Sequence, residues 1–246
     1  MMKKTDPAQN IKLLSVIIPC FKEEQTLAHL VQRVLAAPRM GLGIDIVIVD
    51  DASPDGSYAI AQKLAEEHPE IQSVRHEVNQ GKGAALRTGF AAAKGEIVLI
   101  QDADLEYDPN QYPKLLEPIL DGSADVVYGS RFRGGDVVRV LYFWHSLGNR
   151  FLTLLSNMFT DLMLTDMETC YKVFKKDILD RVTINENRFG FEPEITAKIS
   201  ALKPMPGIYE VGISYHGRTY EDGKKIGWKD GVRAIYCILR YGILKS

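Results

Sequence analysis

The first hundred residues alternate between short apolar runs and longer stretches in which apolar positions recur every three or four residues. Short runs without polar alternation are typical of buried parallel strands, and the longer stretches are typical of amphipathic helices. Their alternation predicts β-α-β units and an α/β fold with a doubly wound, mostly parallel sheet flanked by helices. We expect strands at 13–18, 44–49, 71–74 and 96–100, and helices at 23–36, 53–67 and 83–93.

The second half of the chain has a different pattern. One more strand is expected at 126–129, and residues 137–163 are rich in aromatic and aliphatic side chains. Packing into the core is the ordinary explanation for such a stretch, and a helix that lies on a membrane surface is the alternative. Residues 228–245 repeat the amphipathic pattern with basic residues interspersed. Several apolar side chains of the earlier stretch share one helical face: Phe151, Leu154, Leu155, Met158, Phe159 and Leu162.

Composition narrows the class of protein without naming a function. The chain of 246 residues is 46% hydrophobic and 25% charged, as in an ordinary globular protein, and its net charge of -2 gives no support for a nucleic-acid partner. Cys20, Cys170 and Cys237 are isolated in sequence, which argues against a zinc site and against a disulfide framework. We therefore expect a reduced, cytoplasmic setting.

Neither a leader nor a membrane span is expected. The first apolar run, at 13–18, is too short for a signal peptide. An uninterrupted apolar stretch of ~18 residues, which a spanning helix needs, is not present in the sequence. The protein is expected to be soluble or peripheral.

Acidic residues follow three of the predicted strands. The first strand ends in the acidic segment 19–24, Asp50 and Asp51 follow the second strand, and Asp102 and Asp104 follow the fourth. The carboxyl ends of parallel strands meet at one edge of a sheet, where ligands of open α/β sheets bind. Asp50 and Asp51 can serve a base and a ribose, and the other pair can hold a metal ion and a diphosphate. Capping and turn formation are the alternative explanation for such acids.

The segment Gly81-Lys82-Gly83 opens the third predicted helix with small residues and a positive charge. A helix N-terminus with a lysine favours an anion, although a simple glycine turn is an equal alternative. The segment lacks the third glycine of a dinucleotide fingerprint and follows the third strand rather than the first. It also lacks the spacing of a P-loop, so hydride transfer and ATP hydrolysis both lose support.

Taken in order, the segments 16–24, 49–57, 81–83 and 102–104 resemble the family-2 glycosyltransferases with the GT-A fold. The closer resemblance is to the polyprenyl-phosphate (dolichyl-phosphate-type) mannosyl- and glucosyltransferases, and it covers about residues 13–240. It implies a single catalytic domain over 1–246 with amphipathic interface helices in its second half. Within it we expect a nucleotide-sugar-binding half at about 11–130, an acceptor-binding half at about 131–225 and an amphipathic helix at about 226–246.

The resemblance also implies which residues form the donor site. Asp102 and Asp104 would hold the diphosphate and a divalent cation, Mg²⁺ or Mn²⁺. Relatives often have a glutamine ligand two residues further on, where this chain has Glu106, whose carboxylate also suits a hard cation. The residues expected at the nucleotide sugar are Pro19, Phe21, Glu23, Asp50, Asp51, Lys82, Asp102, Ala103 and Asp104.

Basic residues of the second half are expected at the acceptor. A phosphate monoester has a second pKa of ~6 and is already a nucleophilic dianion at neutral pH. Such an acceptor needs cations for positioning, whereas a sugar hydroxyl needs a general base. The residues that the resemblance assigns to the acceptor phosphate are Arg131, Arg218, Lys224 and Lys225.

The implied reaction is inverting transfer of a hexose, mannose or glucose, to a polyprenyl phosphate. The donor would be of the GDP-mannose or UDP-glucose type. Glu192 is the candidate base if one is required, and Asp166 is the second choice. Asp166 lies in a segment, 166–172, that resembles the family's acidic-to-aromatic segment, with Cys170 in place of its usual glycine. The expected catalytic residues are Asp104, Arg131, Glu192 and Asp166.

Two other functions stay open on the sequence alone. One is a glycosyltransferase that acts on a soluble or cell-envelope saccharide, and the other is a nucleotide-sugar-binding protein without turnover. The intact pair Asp102 and Asp104 argues against the second, because a degenerate relative is expected to lose its metal ligands first. The lipid acceptor would place the protein on the cytoplasmic face of a membrane surface, and assembly into a homo-oligomer is left open.

Overall fold

The computed structural model describes residues 11–134, 137–140, 142–217 and 228–244. The strands are β1 (Leu13–Cys20), β2 (Gly43–Asp50), β3 (Ile71–Arg75), β4 (Ile97–Ile100), β5 (Val126–Ser130), β6 (Lys172–Lys175) and β7 (Ile208–Gly212). The helices are α1 (Leu27–Ala36), α2 (Ser57–Glu67), α3 (Lys82–Ala92), α4 (Tyr112–Leu120), α5 (Phe143–Thr160), α6 (Lys176–Leu179), α7 (Phe191–Ala201) and α8 (Trp228–Leu244), with a 3₁₀ turn at Pro109–Gln111.

The strands form one mixed sheet in the order β3-β2-β1-β4-β6-β5-β7. β1 is parallel to both β2 and β4, and its apolar residues, such as Val16 and Ile17, are fully buried between helices. In this register Cys20 lies opposite Asp50, and Ile17 lies opposite Ile100. The predicted doubly wound, mostly parallel sheet is confirmed, and the acids that follow β1, β2 and β4 meet at one edge.

Two helices begin later than the periodicity predicts, because polar side chains near their predicted starts bond to loop backbone instead. α2 begins at Ser57 rather than at 53, since the Ser53 N–H donates to the carboxylate of Asp50 (3.1 Å) and Asp55 accepts from the Ser57 N–H (3.2 Å). α1 begins at Leu27 rather than at 23. Residues near these two strand ends therefore lie in loops that face the sheet edge.

The sequence analysis missed β6 and β7 and the helices α4, α6 and α7. β6 is a four-residue strand that runs antiparallel to both β4 and β5 and fills the position between them. Its first residue, Lys172, is fully buried, so its apolar and polar residues do not show the pattern of a surface strand. The sheet is therefore completed by a strand that no local periodicity predicts.

The long helix of the second half is divided between core and surface. Leu155 and Phe159 of α5 pack against the core, whereas Phe151, Leu154 and Met158 are exposed. The single apolar face predicted for these residues is therefore wrong in part, because α7 and α8 cover only one side of α5. Within the described ranges, none of the helices combines the length and the apolar character that crossing a bilayer requires.

Candidate active site

Asp50 lies at the end of β2 with one carboxylate oxygen that has no protein partner. Its Oδ2 accepts from the Ser53 N–H at 3.1 Å and lies 3.4 Å from Arg75 Nε. Its Oδ1 is buried and makes no hydrogen bond with the described residues. Buried polar atoms are almost always paired, so an exception at a sheet edge indicates a place for a ligand donor.

The segment after β1 lies beside Asp50, because Cys20 pairs with Asp50 in the sheet. Phe21 is half-buried, with the Lys22 ammonium group 5.4 Å from its ring centre. The Glu23 carboxylate accepts from the Thr26 hydroxyl at 2.7 Å. The structure thus brings the predicted residues Pro19, Phe21 and Glu23 to the same edge as Asp50.

Asp51 differs from Asp50 because protein donors occupy both of its oxygens. Oδ1 binds His76 Nδ1 (2.7 Å) and the Gln80 N–H (2.9 Å). Oδ2 accepts from Asn79 Nδ2 (2.8 Å) and the Gly81 N–H (2.6 Å). This carboxylate shapes the loop that leads into α3, and the nucleotide contact of Asp51 stays a prediction.

Gly81 and Gly83 are required by the close approach of another loop. Gly81 has φ +104°, and a Cβ at this position would lie 2.5 Å from the Asn187 carbonyl oxygen. A Cβ at Gly83 would lie 2.2 Å from the carbonyl oxygen of Glu186. The Ala84 N–H donates to the Asn187 carbonyl at 3.1 Å. The start of α3 is thus held against residues 186–188, which fixes the direction of Lys82.

Lys82 connects the sheet edge at the ends of β1, β2 and β4 to a buried ion-pair network. Its Nζ lies 2.8 Å from Asp102 Oδ1 and 3.4 Å from Glu192 Oε1. The second oxygen of Glu192 bonds to the ammonium group of Lys172, which is fully buried. Burial would raise the pKa of Asp102, but the Lys82 ammonium group outweighs it and holds the pKa below its usual value. Asp102 is therefore an ionised carboxylate.

The carboxylates after β4 provide oxygen donors for a hard cation. Asp104 Oδ1 accepts from the Glu106 N–H at 3.2 Å, and Glu106 Oε2 accepts from the Tyr215 hydroxyl at 2.8 Å. Ala103, between the two aspartates, is buried. In the described ranges no three His, Cys, Asp or Glu side chains form a metal cage. Mg²⁺ commonly takes one or two carboxylates and completes its shell with substrate phosphates and water, so Asp102 and Asp104 fit a metal that is shared with a diphosphate.

Arg131 and Asp166 form a second ion pair further along the edge. Arg131 Nε and Nη2 each lie 2.7 Å from an oxygen of Asp166, and the Arg131 N–H donates to the same carboxylate. The Arg131 guanidinium also lies 5.2 Å from the centre of the Tyr215 ring. The other predicted acceptor residues lie outside the described residues: Arg218, Lys224 and Lys225.

Both predicted general bases are engaged with cations. Glu192 lies between Lys82 and Lys172, and Asp166 is bonded through both oxygens to Arg131. The base role stays a prediction, and these ion pairs favour a second role for both carboxylates, which is to position the cations. Asp166 therefore orients Arg131, and Glu192 orients Lys82.

Sequence reasoning also missed Glu168, which lies between these two ion pairs along the chain. Glu168 Oε1 and the Thr169 hydroxyl are buried and have no hydrogen-bond partner among the described residues. Burial, with the negative charge of Glu192 as a further cause, raises the pKa of Glu168 to about 8. Nothing in the local pattern indicates this, since the burial of Glu168 depends on residues far away in sequence.

Comparison with known proteins agrees with this geometry. Residues 15–183 match the family model described as Glycosyl transferase family 2, which is more than half of the chain. The chain belongs to glycosyl transferase family 2. The resemblance from sequence motifs is thereby confirmed, and the chain is placed in a family of sugar-transferring enzymes.

This family-2 glycosyl transferase has curated relatives that are named for polyprenyl-phosphate chemistry. It is 30% identical over 230 residues to the dolichol-phosphate mannosyltransferase of Pyrococcus furiosus, over 93% of this chain and 64% of that protein. It is 31% identical over 240 residues to the undecaprenyl-phosphate mannosyltransferase of Micrococcus luteus, over 92% of this chain and 93% of that protein. The chain thus spans slightly less than two thirds of the Pyrococcus relative.

Solved structures share the fold of this family-2 glycosyl transferase. The glucosyl-3-phosphoglycerate synthase of Mycobacterium tuberculosis, in complex with UDP, superposes with a TM-score of 0.74 at 18% identity, over 96% of this chain and 82% of that chain. The same enzyme in complex with Mn²⁺, UDP and phosphoglyceric acid gives a TM-score of 0.72 at 17% identity, over 96% of this chain and 81% of that chain. At this identity the likeness shows the fold, which is the predicted GT-A architecture.

Proposed function

We propose that this chain transfers a hexose from a nucleoside-diphosphate sugar to a polyprenyl phosphate. The names of the Pyrococcus and Micrococcus relatives support this acceptor class. The site supports a donor with a base at one end and a diphosphate at the other. The hexose is proposed to be mannose or glucose, carried by GDP or UDP respectively.

The donor is proposed to bind along the edge formed by β1, β2 and β4. Asp50 Oδ1, for which the described residues provide no donor, would accept a hydrogen bond from the base. Lys82 and the N-terminus of α3 would face the diphosphate, because both favour negative charge. Asp102 and Asp104, with Glu106 as a predicted third ligand, would hold Mg²⁺ or Mn²⁺. Such a cation would neutralise the charge that develops on the leaving diphosphate.

The main support for a phosphate acceptor is that both candidate bases are held in ion pairs. Glu192 and Asp166 are both engaged with cations, which disfavours either of them as the proton acceptor for a hydroxyl. A phosphate acceptor is already ionised, with a second pKa of ~6, and needs only to be oriented. Arg131, held by Asp166, supplies a cation for this purpose. Arg218, Lys224 and Lys225 are proposed to add to it.

A membrane surface is the proposed location of the acceptor. Large apolar side chains of α5 and the segment before it are exposed, including Trp144 at 77% and Phe143 at 68%. α8 adds a second exposed row beside α5, with Arg240 among its apolar residues. Exposed aromatic residues with neighbouring cations suit an anionic lipid interface. The exposed residues of the two rows are Tyr142, Phe143, Trp144, Leu147, Phe151, Leu154, Met158, Val232, Tyr236, Leu239 and Ile243.

The cytoplasmic face of the membrane is proposed because the three cysteines are free, as in a reducing compartment.

The proposal is tested with purified protein, radiolabelled GDP-mannose or UDP-glucose, and Mn²⁺ or Mg²⁺. The acceptors are vesicles that contain a polyprenyl phosphate, vesicles that contain the same polyprenol without phosphate, and a soluble saccharide. We expect metal-dependent transfer of label into the lipid fraction only with the polyprenyl phosphate. Transfer to the saccharide would support the alternative acceptor class and overturn the proposal. Donor binding without transfer to any acceptor would overturn it in favour of a binding protein.

A further inference from the structure

The segment from Asp166 to Cys170 connects the two ends of the proposed reaction site. At one end Asp166 orients Arg131, the proposed cation for the acceptor phosphate. At the other end the Cys170 thiol lies close enough to Asp102, the proposed diphosphate residue, to affect its charge, and it donates to the Ile100 carbonyl at the end of β4. A hexose that leaves a diphosphate and joins a phosphate must lie between the two. Glu168 lies in the middle of this segment, and charged groups of both ends, Glu192 and Arg131 among them, act on its carboxyl group.

The carboxyl group of Glu168 has an unmet capacity for hydrogen bonding. Its Oε1 is buried without a partner among the described residues, and so is the neighbouring Thr169 hydroxyl. The charged groups that face the carboxyl are two acids, Glu192 and Asp166, and two cations, Lys172 and Arg131. Each is engaged in its own ion pair. A buried carboxyl left without a partner costs stability, and a ligand hydroxyl would satisfy it.

We propose that Glu168 is a specificity-determining residue that hydrogen-bonds a hydroxyl group of the transferred hexose. This inference rests on the proposed function, since it takes the sugar to lie between the donor and acceptor ends. Burial raises the pKa of Glu168 to about 8, so at neutral pH the carboxyl carries its proton. A protonated carboxyl both donates and accepts, which matches a sugar hydroxyl. It also adds no negative charge beside two phosphate groups.

The test compares donor binding with and without the sugar. Calorimetry in Mn²⁺ gives the Kd of the intact nucleotide sugar and the Kd of the nucleoside diphosphate alone, for the wild type, Glu168→Leu and Glu168→Gln. We expect Glu168→Leu to weaken the intact donor by about tenfold or more, the equivalent of one lost hydrogen bond to a buried group. Its affinity for the diphosphate alone should stay within about twofold. Glu168→Gln, which keeps a donor and an acceptor, should weaken the intact donor less than the leucine variant does.

Monodeoxy donors identify the hydroxyl group. The wild type should lose kcat/KM sharply with one monodeoxy sugar, because a site built to bond a hydroxyl rejects the analogue that lacks it. Glu168→Leu should no longer distinguish that analogue from the natural sugar. Glu66→Leu, on the exposed side of α2, is the matched control for removal of an acid and should behave as the wild type. Equal weakening of diphosphate and nucleotide sugar, or unchanged discrimination, would overturn the inference.

The calorimetric results are independent of the acceptor. Loss of sugar-dependent affinity in Glu168→Leu supports the inference even if the wild type transfers nothing to polyprenyl phosphate, an outcome that would overturn only the proposed function. Conversely, transfer by the wild type together with unchanged donor binding in Glu168→Leu overturns the role of Glu168 and leaves the proposed function standing. Thermal unfolding of each variant confirms that the compared proteins are folded.

Discussion

Lys82 Nζ lies between two carboxylates, 2.8 Å from Asp102 and 3.4 Å from Glu192. Asp102 faces the proposed donor, and Glu192 is a buried residue in the first turn of α7. Through Glu192 the contact extends to Lys172, whose ammonium group has no access to solvent. The cation at the donor edge is thus fixed by a network that the core of the protein supports.

Removing the buried cation should destabilise the fold. Lys172→Met leaves Glu192 buried with only Lys82 beside it, and breaking a buried pair in this way commonly costs about 3–5 kcal/mol. The double variant Lys172→Met/Glu192→Gln should recover part of that loss, because no unpaired buried charge remains. Urea denaturation measures both. If Lys172→Met is as stable as the wild type, the ion pair between Lys172 and Glu192 does not contribute to the free energy of unfolding.

Removing the predicted metal ligand should stop the reaction without unfolding the protein. Asp104 is half-buried, so Asp104→Ala disturbs little packing. We expect sugar transfer to fall by about 100-fold or more, because stabilisation of the leaving group by a metal ion is worth several kcal/mol. The assay is transfer of label in Mn²⁺, with circular dichroism as the control for folding. Full activity of Asp104→Ala would show that Asp104 is not a metal ligand.

The exposed aromatic residues should control membrane binding. Replacing Phe143 and Trp144 by serine removes two large side chains, each worth about 1.5–3 kcal/mol when buried. Sedimentation with vesicles that contain polyprenyl phosphate should therefore fall by about tenfold or more. Met40→Ser removes an apolar side chain, also exposed, from the turn before β2 and is the matched control. Equal binding of the control and the double variant would contradict the docking face.

The titration of Glu168 should make the free energy of unfolding depend on pH. Its pKa rises from an ordinary 4.5 to about 8 in the folded chain, where Glu192, Asp166, Lys172 and Arg131 face it. Between these values the folded state binds a proton that the unfolded state has lost, so the free energy of unfolding falls as the pH rises.

Glu168→Gln cannot titrate and should escape this loss. We expect its stability relative to the wild type to increase steadily from pH 5 to pH 8, by up to about 1.4 kcal/mol for each pH unit over which the two states differ by one proton. Denaturation curves at several pH values measure the difference. A constant difference across this window would contradict a raised pKa of Glu168.

The C-terminal helix should loosen when one ion pair is removed. Arg233 of α8 binds Glu186 through two nitrogens, at 2.9 and 3.0 Å, and Glu186 lies next to the loop that presses on Gly81 and Gly83. Arg233→Leu leaves the buried carboxylate of Glu186 without this partner and should cost about 1–3 kcal/mol. Hydrogen exchange should speed up in both α8 and residues 185–190. Arg240→Leu, on the exposed side of the same helix, should change neither.

The part of the site that follows strand ends could be predicted from sequence. Asp50, Asp102 and Asp104 each come directly after a short apolar run, and parallel strands deliver such residues to one edge whatever the rest of the chain does. The same rule does not predict which groups Asp51 binds. Its partners are His76 and the loop before α3, and the residue type does not reveal which neighbour will bind an oxygen.

The features that the sequence does not reveal are charge pairings with distant partners. Glu192 is the candidate base if one is required, and its ion pair with Lys172 could not be foreseen because Lys172 lies in β6, a strand too short and too polar at its start to be predicted. Glu168 was passed over because only the completed fold buries it. Side-chain identity therefore indicated the chemistry of this edge, while the pairing of charges had to come from the structure.

The position of β6 has a consequence for how the protein is made. β4 and β5 are both synthesised before β6, which later lies between them and bonds to each. A nascent chain that ends shortly after Arg131 has Asp102 and Arg131 but lacks the strand that lies between β4 and β5, and it lacks Asp166, which orients Arg131. The ligand site is therefore assembled late in synthesis, and an unfinished chain contains the aspartates but not the later residues that complete the site.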